Sequence, residues 1–173
     1  MSHINIEIKA RSTRTDGIRK FLLEKGAYFK GTDHQTDTYF NVSSGRLKLR
    51  EGNIENNLIY YHRPNQSGPK QSDFTLVKIE DKEGLKTILE NAVGIKVIVK
   101  KKREIYFIEN VKFHLDELEN LGSFVEIEAG NKDHDIPIEK LHEQCRYYLS
   151  AFGIEEEDLV DRSYSDMLFE VKS

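Results

Sequence analysis

Apolar and polar residues alternate along several stretches of the chain, the pattern of a strand with one buried face. In "NIEIKAR" near the start, Ile4, Ile6 and Ile8 fall on one side, and Asn5, Glu7, Lys9 and Arg11 on the other. The same period recurs in "RLKLR" (46–50), "NLIYYHR" (57–63), "IKVIVKKKREIYFI" (95–108), "VKFHLDEL" (111–118) and "SFVEIEA" (123–129). Each predicts a strand. "DTYFNV" (37–42) predicts another, joined to "RLKLR" as a hairpin through residues 43–45, where Gly45 takes the backbone angles a tight turn needs.

A period of 3.6 replaces the period of two in three places. "DGIRKFLLEKG" (16–26) sets Ile18, Phe21 and Leu22 on one face, with Asp16 as a cap and Gly26 as a stop. "DKEGLKTILENAVG" (81–94) repeats that plan. "IPIEKLHEQCRYYLSAFG" (136–153) has Pro137 for a first turn, Gly153 for a stop, and Leu141, Cys145, Tyr148 and Leu149 along an apolar stripe, which makes Cys145 a packed core thiol. "HRPNQSGPKQSDF" (62–74) gathers Pro, Gly, Ser and Asn between strands and predicts a mobile loop. Strand-rich segments interrupted by helices predict an α+β fold, its antiparallel sheet closed or strongly curved, with helices packed outside.

At 173 residues and 38% hydrophobic, residues 1–173 are read as a single domain that buries its own core. One cysteine cannot form an internal disulfide, no secretory-type apolar start is present, and no run approaches the ~20 apolar residues of a membrane span; the expectation is a cytoplasmic protein, away from membranes. A net charge of −4 argues against a general nucleic-acid binder, while 26 Lys and Arg leave material for a local basic pocket. The expected partner is a small molecule.

The polar faces of the strands carry the chemistry. "RLKLR" contributes Arg46, Lys48 and Arg50; "YYHR" contributes Tyr61 and Arg63; Lys101 and Arg103 lie two apart on one face, leaving Lys100 and Lys102 to solvent. The acids come from the first and last strands, Glu7 with Glu126 and Glu128, and Asp116 stands upstream on "HLD". For any one strand, a solvated charged face is the commoner arrangement. Several together suggest a shared interior in which clustered carboxylates need cations and clustered Arg and Lys need anions. A polyphosphate carrying Mg²⁺ or Mn²⁺ supplies both, since these metals prefer carboxylate and phosphate oxygens and Arg forks neutralise the remaining phosphate charge. The six histidines form neither an HxxxH pair nor a set with CxxC, so zinc is set aside, although His114 shares the face of Asp116. No GxxxxGK[ST] loop occurs, and phosphate binding would rest on side chains.

"NIEIKAR", "HQTDTYFNV..GRLKLRE", "LIYYHRP..SGPKQSDF", "VKKKREIYF", "VKFHLDELENLGSFVEIEA" and "DRSYSDML" follow, in order and across nearly the whole chain, a pattern that resembles the CYTH family of triphosphate tunnel metalloenzymes, closest to its class IV adenylate cyclase-like branch. The resemblance implies an eight-stranded antiparallel barrel with helices outside and a charged lumen for a triphosphate and Mg²⁺ or Mn²⁺. It implies metal ligands at Glu7, Glu126 and Glu128, with Asp116 alongside and Asn5 at the position where the family usually has a further Glu. Asn5 offers a carbonyl oxygen but no charge. Lys9, Lys101 and Arg103 would be the catalytic cations, and Arg46, Lys48, Arg50, Arg63 and Tyr164 would bind substrate. The implied reaction is triphosphate hydrolysis or ATP cyclisation with pyrophosphate release; a triphosphate-binding module with little turnover is the alternative. Monomer and homodimer both remain open.

Overall fold

The computed structural model describes residues 2–131 and 135–172. His134 therefore lies outside the described residues. In chain order the elements are β1 (Ser2–Arg11), α1 (Thr15–Glu24), β2 (Tyr28–Phe40), β3 (Arg46–Glu51), β4 (Asn56–His62), β5 (Lys70–Lys78), α2 (Lys82–Ala92), β6 (Ile95–Ile108), β7 (Val111–Leu118), β8 (Gly122–Gly130), α3 (Ile138–Ala151), a 3-10 turn (Glu156–Asp158) and α4 (Tyr164–Lys172). The strands close into an antiparallel barrel in the order β1-β5-β4-β3-β2-β6-β7-β8. The α+β barrel with external helices is thus the observed fold.

Closure gives every strand an inward and an outward face. The outward isoleucines of β1 pack with Ile18 and Leu22 of α1, Leu141 and Cys145 of α3, and Phe113 and Ile127 of the neighbouring strands. Fully burying each such side chain contributes roughly 1.5–3 kcal/mol. Cys145 is a core thiol, its Sγ donating to the Ile6 carbonyl at 3.1 Å. A second apolar cluster occupies one end of the barrel: Tyr39, Ile59, Tyr61, Val97, Val99 and Phe124 meet Tyr164, Met167 and Leu168 of α4. The lumen is therefore polar over only part of its length. The same β6 face that carries Lys101 and Arg103 begins with Val97 and Val99.

Several boundaries differ from the sequence reading. The segment 62–74 is not loop throughout, because β5 begins at Lys70 and is held on both sides, Glu7 facing Lys70 and Phe74 facing Tyr61. Its local polarity masks a strand whose partners are distant in sequence. β2 runs from Tyr28 rather than Asp37 and ends at Phe40, since its pairing with β6 extends well past the hairpin. Asp81 caps α2, accepting from the Gly84 N–H at 2.9 Å, whereas Asp16 sits inside the first turn of α1, which starts at Thr15. α4 follows from no periodic signal in the sequence. Among the described residues no helix is long and apolar enough to cross a membrane.

Candidate functional site

The barrel encloses a cavity of about 750 Å³ that runs to the β3–β4 and β6–β7 turns, where Ile54, Glu55, Glu109 and Asn110 line it. Antiparallel register decides which charges meet inside it. Glu7 of β1 stands opposite Glu128 of β8, Lys9 opposite Glu126, Asp37 opposite Arg50, and Arg103 opposite Asp116.

One wall is acidic. Glu7, Glu126 and Glu128 face the cavity from β1 and β8, and His114, Glu126 and Glu128 bring ligand atoms within 4.8 Å of one another. Burial, then the charges of Glu126 and Glu7, push the Glu128 carboxyl up to about 7. Burial also opposes ionisation of Glu126, but Lys9, the His114 hydrogen bond and Arg103 hold it well below the usual range. His114, lowered to about 3 by burial and then by Arg103, is neutral. Its Nδ1 lies 3.1 Å from Glu126, and its buried Nε2 has no hydrogen-bond partner among the described residues. Asn5 faces the same cavity across Gly130, where a Cβ would stand 2.6 Å from the Asn5 Oδ1. Crowded carboxylates, one pushed up by burial and by its neighbours, with an amide oxygen beside them, fit a hard divalent cation such as Mg²⁺ or Mn²⁺.

The facing wall is cationic, and each cation is held. Asp37 of β2, fully buried, accepts from Arg50 at 2.9 and 2.8 Å and from Lys101 at 2.7 Å, with Lys48 at 3.5 Å. Burial would raise the Asp37 carboxyl, yet Arg50 and Lys101 hold it well below its ordinary value. Arg103 forks onto Asp116 at 2.7 Å twice and reaches Glu126 at 3.1 Å; Tyr164 donates to Asp116 at 2.7 Å. Arg63 donates to Glu7. Lys9 lies 3.5 Å above the Tyr164 ring and 4.0 Å from Glu126. Burial lowers both Lys9 and Lys101 to about 7.

The β3–β4 turn adds a carboxylate. Asp33 accepts the N–H groups of Asn53, Ile54 and Glu55 at 2.7, 2.9 and 3.0 Å, folding the turn inward. A side chain at Gly52 would collide with Asp33 at 2.5 Å, so only glycine admits this fold. Glu55 consequently reaches into the lumen, 2.5 Å from Lys112 and 3.4 Å from Arg50. Lys112 and Arg50 hold its carboxyl below the usual range against burial.

Most residues singled out from the sequence share this cavity. Asn5, Glu7, Lys9, Lys48, Arg50, Arg63, Lys101, Arg103, Glu126, Glu128 and Tyr164 line it, while Lys100 and Lys102 are exposed. Asp116 lies behind Arg103, with both carboxylate oxygens taken by Arg103 and one also by Tyr164. Arg46 turns away to Asp166 of α4 at 2.7 Å. Arg11 is exposed and donates to the Leu121 carbonyl. Sequence reasoning missed Asp37, Glu55 and Lys112. Asp37 shares a strand face with Asp33 and Gln35, a polar period that would have marked it; Glu55 sits in a turn and gives no such signal.

Comparison with known proteins agrees with this geometry. Residues 3–164 match the CYTH domain. A candidate adenylate cyclase of Methanocaldococcus jannaschii is 28% identical over 176 residues, 95% of this chain and 98% of the relative. Among solved structures, the PH1012 protein of Pyrococcus horikoshii OT3 superposes with a TM-score of 0.76 at 25% identity, over 94% of this chain and 98% of the other. A Hippeastrum candidate adenylyl cyclase, described as having a dominant triphosphatase activity, shares the fold at a TM-score of 0.63 and 15% identity, over 99% of this chain and 96% of its own. The chain belongs to the CYTH domain family, the triphosphate tunnel proteins.

Proposed function

We propose that this protein is a divalent-cation-dependent hydrolase of a triphosphate bound in the barrel lumen. The observation that carries the reading is the opposition of two walls across one cavity, carboxylates from β1 and β8 on one side and cations from β3, β6 and Arg63 just after β4 on the other. Glu7, Glu126, Glu128 and the amide oxygen of Asn5 would hold Mg²⁺ or Mn²⁺. When bound, the ion supplies charge neutralisation and Lewis-acid polarisation at a phosphoryl oxygen.

The chain's own groups account for the rest. Lys48, Arg50, Lys101 and Arg63 neutralise the non-bridging oxygens, with Arg forks fixing orientation. Arg103, clamped by Asp116, offers a rigid positive charge to the transition state. Lys9, at about 7, sits where proton transfer with an attacking water is balanced at neutral pH. The lumen supplies what hydrolysis asks for: positioned phosphates, neutralised charge and a proton-transfer group.

A second reading, ATP cyclisation by attack of the ribose 3′-hydroxyl on the α-phosphate, is favoured by the name of the M. jannaschii relative. The replacement of a charged ligand by Asn5 favours a third, triphosphate binding with little turnover. Incubation with ATP and with inorganic tripolyphosphate, each with Mg²⁺ or Mn²⁺, followed by product separation, discriminates. Orthophosphate release from both supports hydrolysis; cAMP and pyrophosphate from ATP alone would replace it, and unchanged substrates that nevertheless bind would leave the third reading.

A further inference from the structure

The lumen contains two kinds of ion pair. Arg50 and Arg103 fork onto Asp37 and Asp116, neither of which belongs to the cluster suited to a metal ion. Glu7 is different. It stands opposite Glu128, beside the His114, Glu126 and Glu128 cluster rather than within it, yet its partner is Arg63, a member of the cationic set. Both side chains are at least nine-tenths buried, and the Arg63 Nε is a buried donor with no acceptor, so the guanidinium is only partly used. Glu7 occupies the Nη1 side of the guanidinium, and a phosphate that drew in the whole group would take Arg63 away from it. Lys9 and Arg103 also reach Glu126, but Lys9 keeps the Tyr164 ring and Arg103 keeps Asp116 when Glu126 is withdrawn. Arg63 has no second hydrogen-bond acceptor among the described residues, and keeps only the Tyr61 ring, 5.8 Å from its Cζ.

We infer that the Glu7–Arg63 pair is an exchange element that makes divalent-cation and phosphate binding depend on each other. The cation takes Glu7, the phosphate takes Arg63, and each ligand alone strands the other half of a buried pair. Binding both leaves no charge unpaired. The coupling is reciprocal by thermodynamic necessity, and couplings of this kind typically span roughly 5- to 150-fold. The inference rests on the reading of the lumen as a cation-plus-triphosphate site, but it does not depend on which reaction follows.

Calorimetric titration of the full chain, all variants at one fixed pH, tests it. Tripolyphosphate is titrated with EDTA present, and Mn²⁺ is titrated alone. Glu7→Gln should bind metal-free tripolyphosphate about tenfold or more tightly than the natural chain, because Arg63 is released. Arg63→Gln should bind Mn²⁺ alone about tenfold or more tightly, because Glu7 is released. Glu128→Gln removes an acid from the same wall without touching Arg63, and should show a clearly smaller gain for tripolyphosphate than Glu7→Gln. Equal gains in both would mean that lumen charge alone is at work and would overturn the exchange. If Glu7→Gln does not fold, the Arg63→Gln arm with Mn²⁺ decides: no gain there overturns the inference. Failure of tripolyphosphate to bind the natural chain with or without Mn²⁺ would instead remove the reading of the site itself.

Discussion

Asp37 is the residue whose removal tests the electrostatic account of the barrel most directly. Its carboxylate is fully buried and neutralises Arg50 and Lys101 by direct hydrogen bonds, with Lys48 nearby. Asp37→Asn preserves shape but replaces a carboxylate oxygen by an N–H₂ donor that faces cations. Deleting one partner of a buried ion pair costs roughly 3–5 kcal/mol. For a chain of this size about 1 kcal/mol moves the melting temperature by roughly 2–4 °C, so the expected drop is on the order of 6–20 °C. Circular dichroism melts of metal-free protein measure it.

The pH dependence carries a sign of its own. The folded-state pKa of Asp37 is depressed, so its stabilisation is present above the unfolded value of 3.8 and is lost as pH falls through the lower folded value. The gap between the two proteins should therefore shrink below about pH 4. Lys101 is lowered from 10.5 to about 7, chiefly by burial, so the unfolded chain binds its proton more tightly and this group's penalty fades as pH rises from about 7 towards 10.5. Without Asp37 the ammonium loses its principal support and sheds its proton at still lower pH, which narrows the gap above neutrality. The maximum belongs near pH 5–7, by that sign argument. A gap under about 2 °C at pH 6, where at least about 6 °C is expected, or one that stays flat from pH 3 to 9, refutes the reasoning.

Three further outcomes are expected. Glu128→Gln should leave melting within about 2 °C, because among the described residues that carboxyl takes part in no hydrogen bond and the neutral His114 stands 3.7 Å away, while cation-dependent turnover falls on the order of 100-fold; an unaltered Mn²⁺ dependence would take Glu128 out of the ligand set. Asn5→Glu should lower the Mg²⁺ or Mn²⁺ concentration for half-maximal turnover, since hard cations gain most from anionic oxygens, and a titration giving an unchanged or higher requirement contradicts the weakened-site account. Tyr164→Phe removes the hydroxyl that donates to Asp116 at 2.7 Å and should cost about 1.5–3 kcal/mol in urea unfolding, as for hydrogen bonds to charged acceptors; a loss under about 0.5 kcal/mol would mean that Arg103 alone satisfies Asp116.

The strands were legible wherever alternation is strong, as in β1, β6 and β8, because a half-buried face leaves a period of two whatever the partner. β5 was not, since "KQSDF" is polar on both faces and its neighbours β1 and β4 are fixed by barrel closure, a property of the whole chain. The same distinction divides the site. That Lys101 and Arg103 point one way and Lys102 the other follows from parity along one strand. That Arg103 locks Asp116, and that Arg46 leaves the lumen for α4, depends on register and on a helix without an amphipathic signature in the sequence reading. Parity assigns a side chain to the interior; it does not choose its partner there.

That choice of partner carries a consequence for the ligand. An anion entering the lumen meets cations already paired with carboxylates, so it must offer more than a net negative charge. The Asp37 and Asp116 pairs would stay intact as it binds, because neither carboxylate belongs to the cluster suited to a cation, so Arg50, Lys101 and Arg103 would meet the phosphate while still paired. On the exchange proposed above, the Glu7–Arg63 pair opens at least cost when a divalent ion accepts Glu7. A phosphorylated compound without a cation would take only the Arg63 half and strand Glu7, whereas a polyphosphate bearing its metal would take both halves at once. The fixed pairs keep an empty, highly charged barrel folded, and the exchangeable pair makes entry conditional on the charge of the incoming group. Stability and selectivity are thus carried by different carboxylates on the same wall system, separated by what each can be exchanged for.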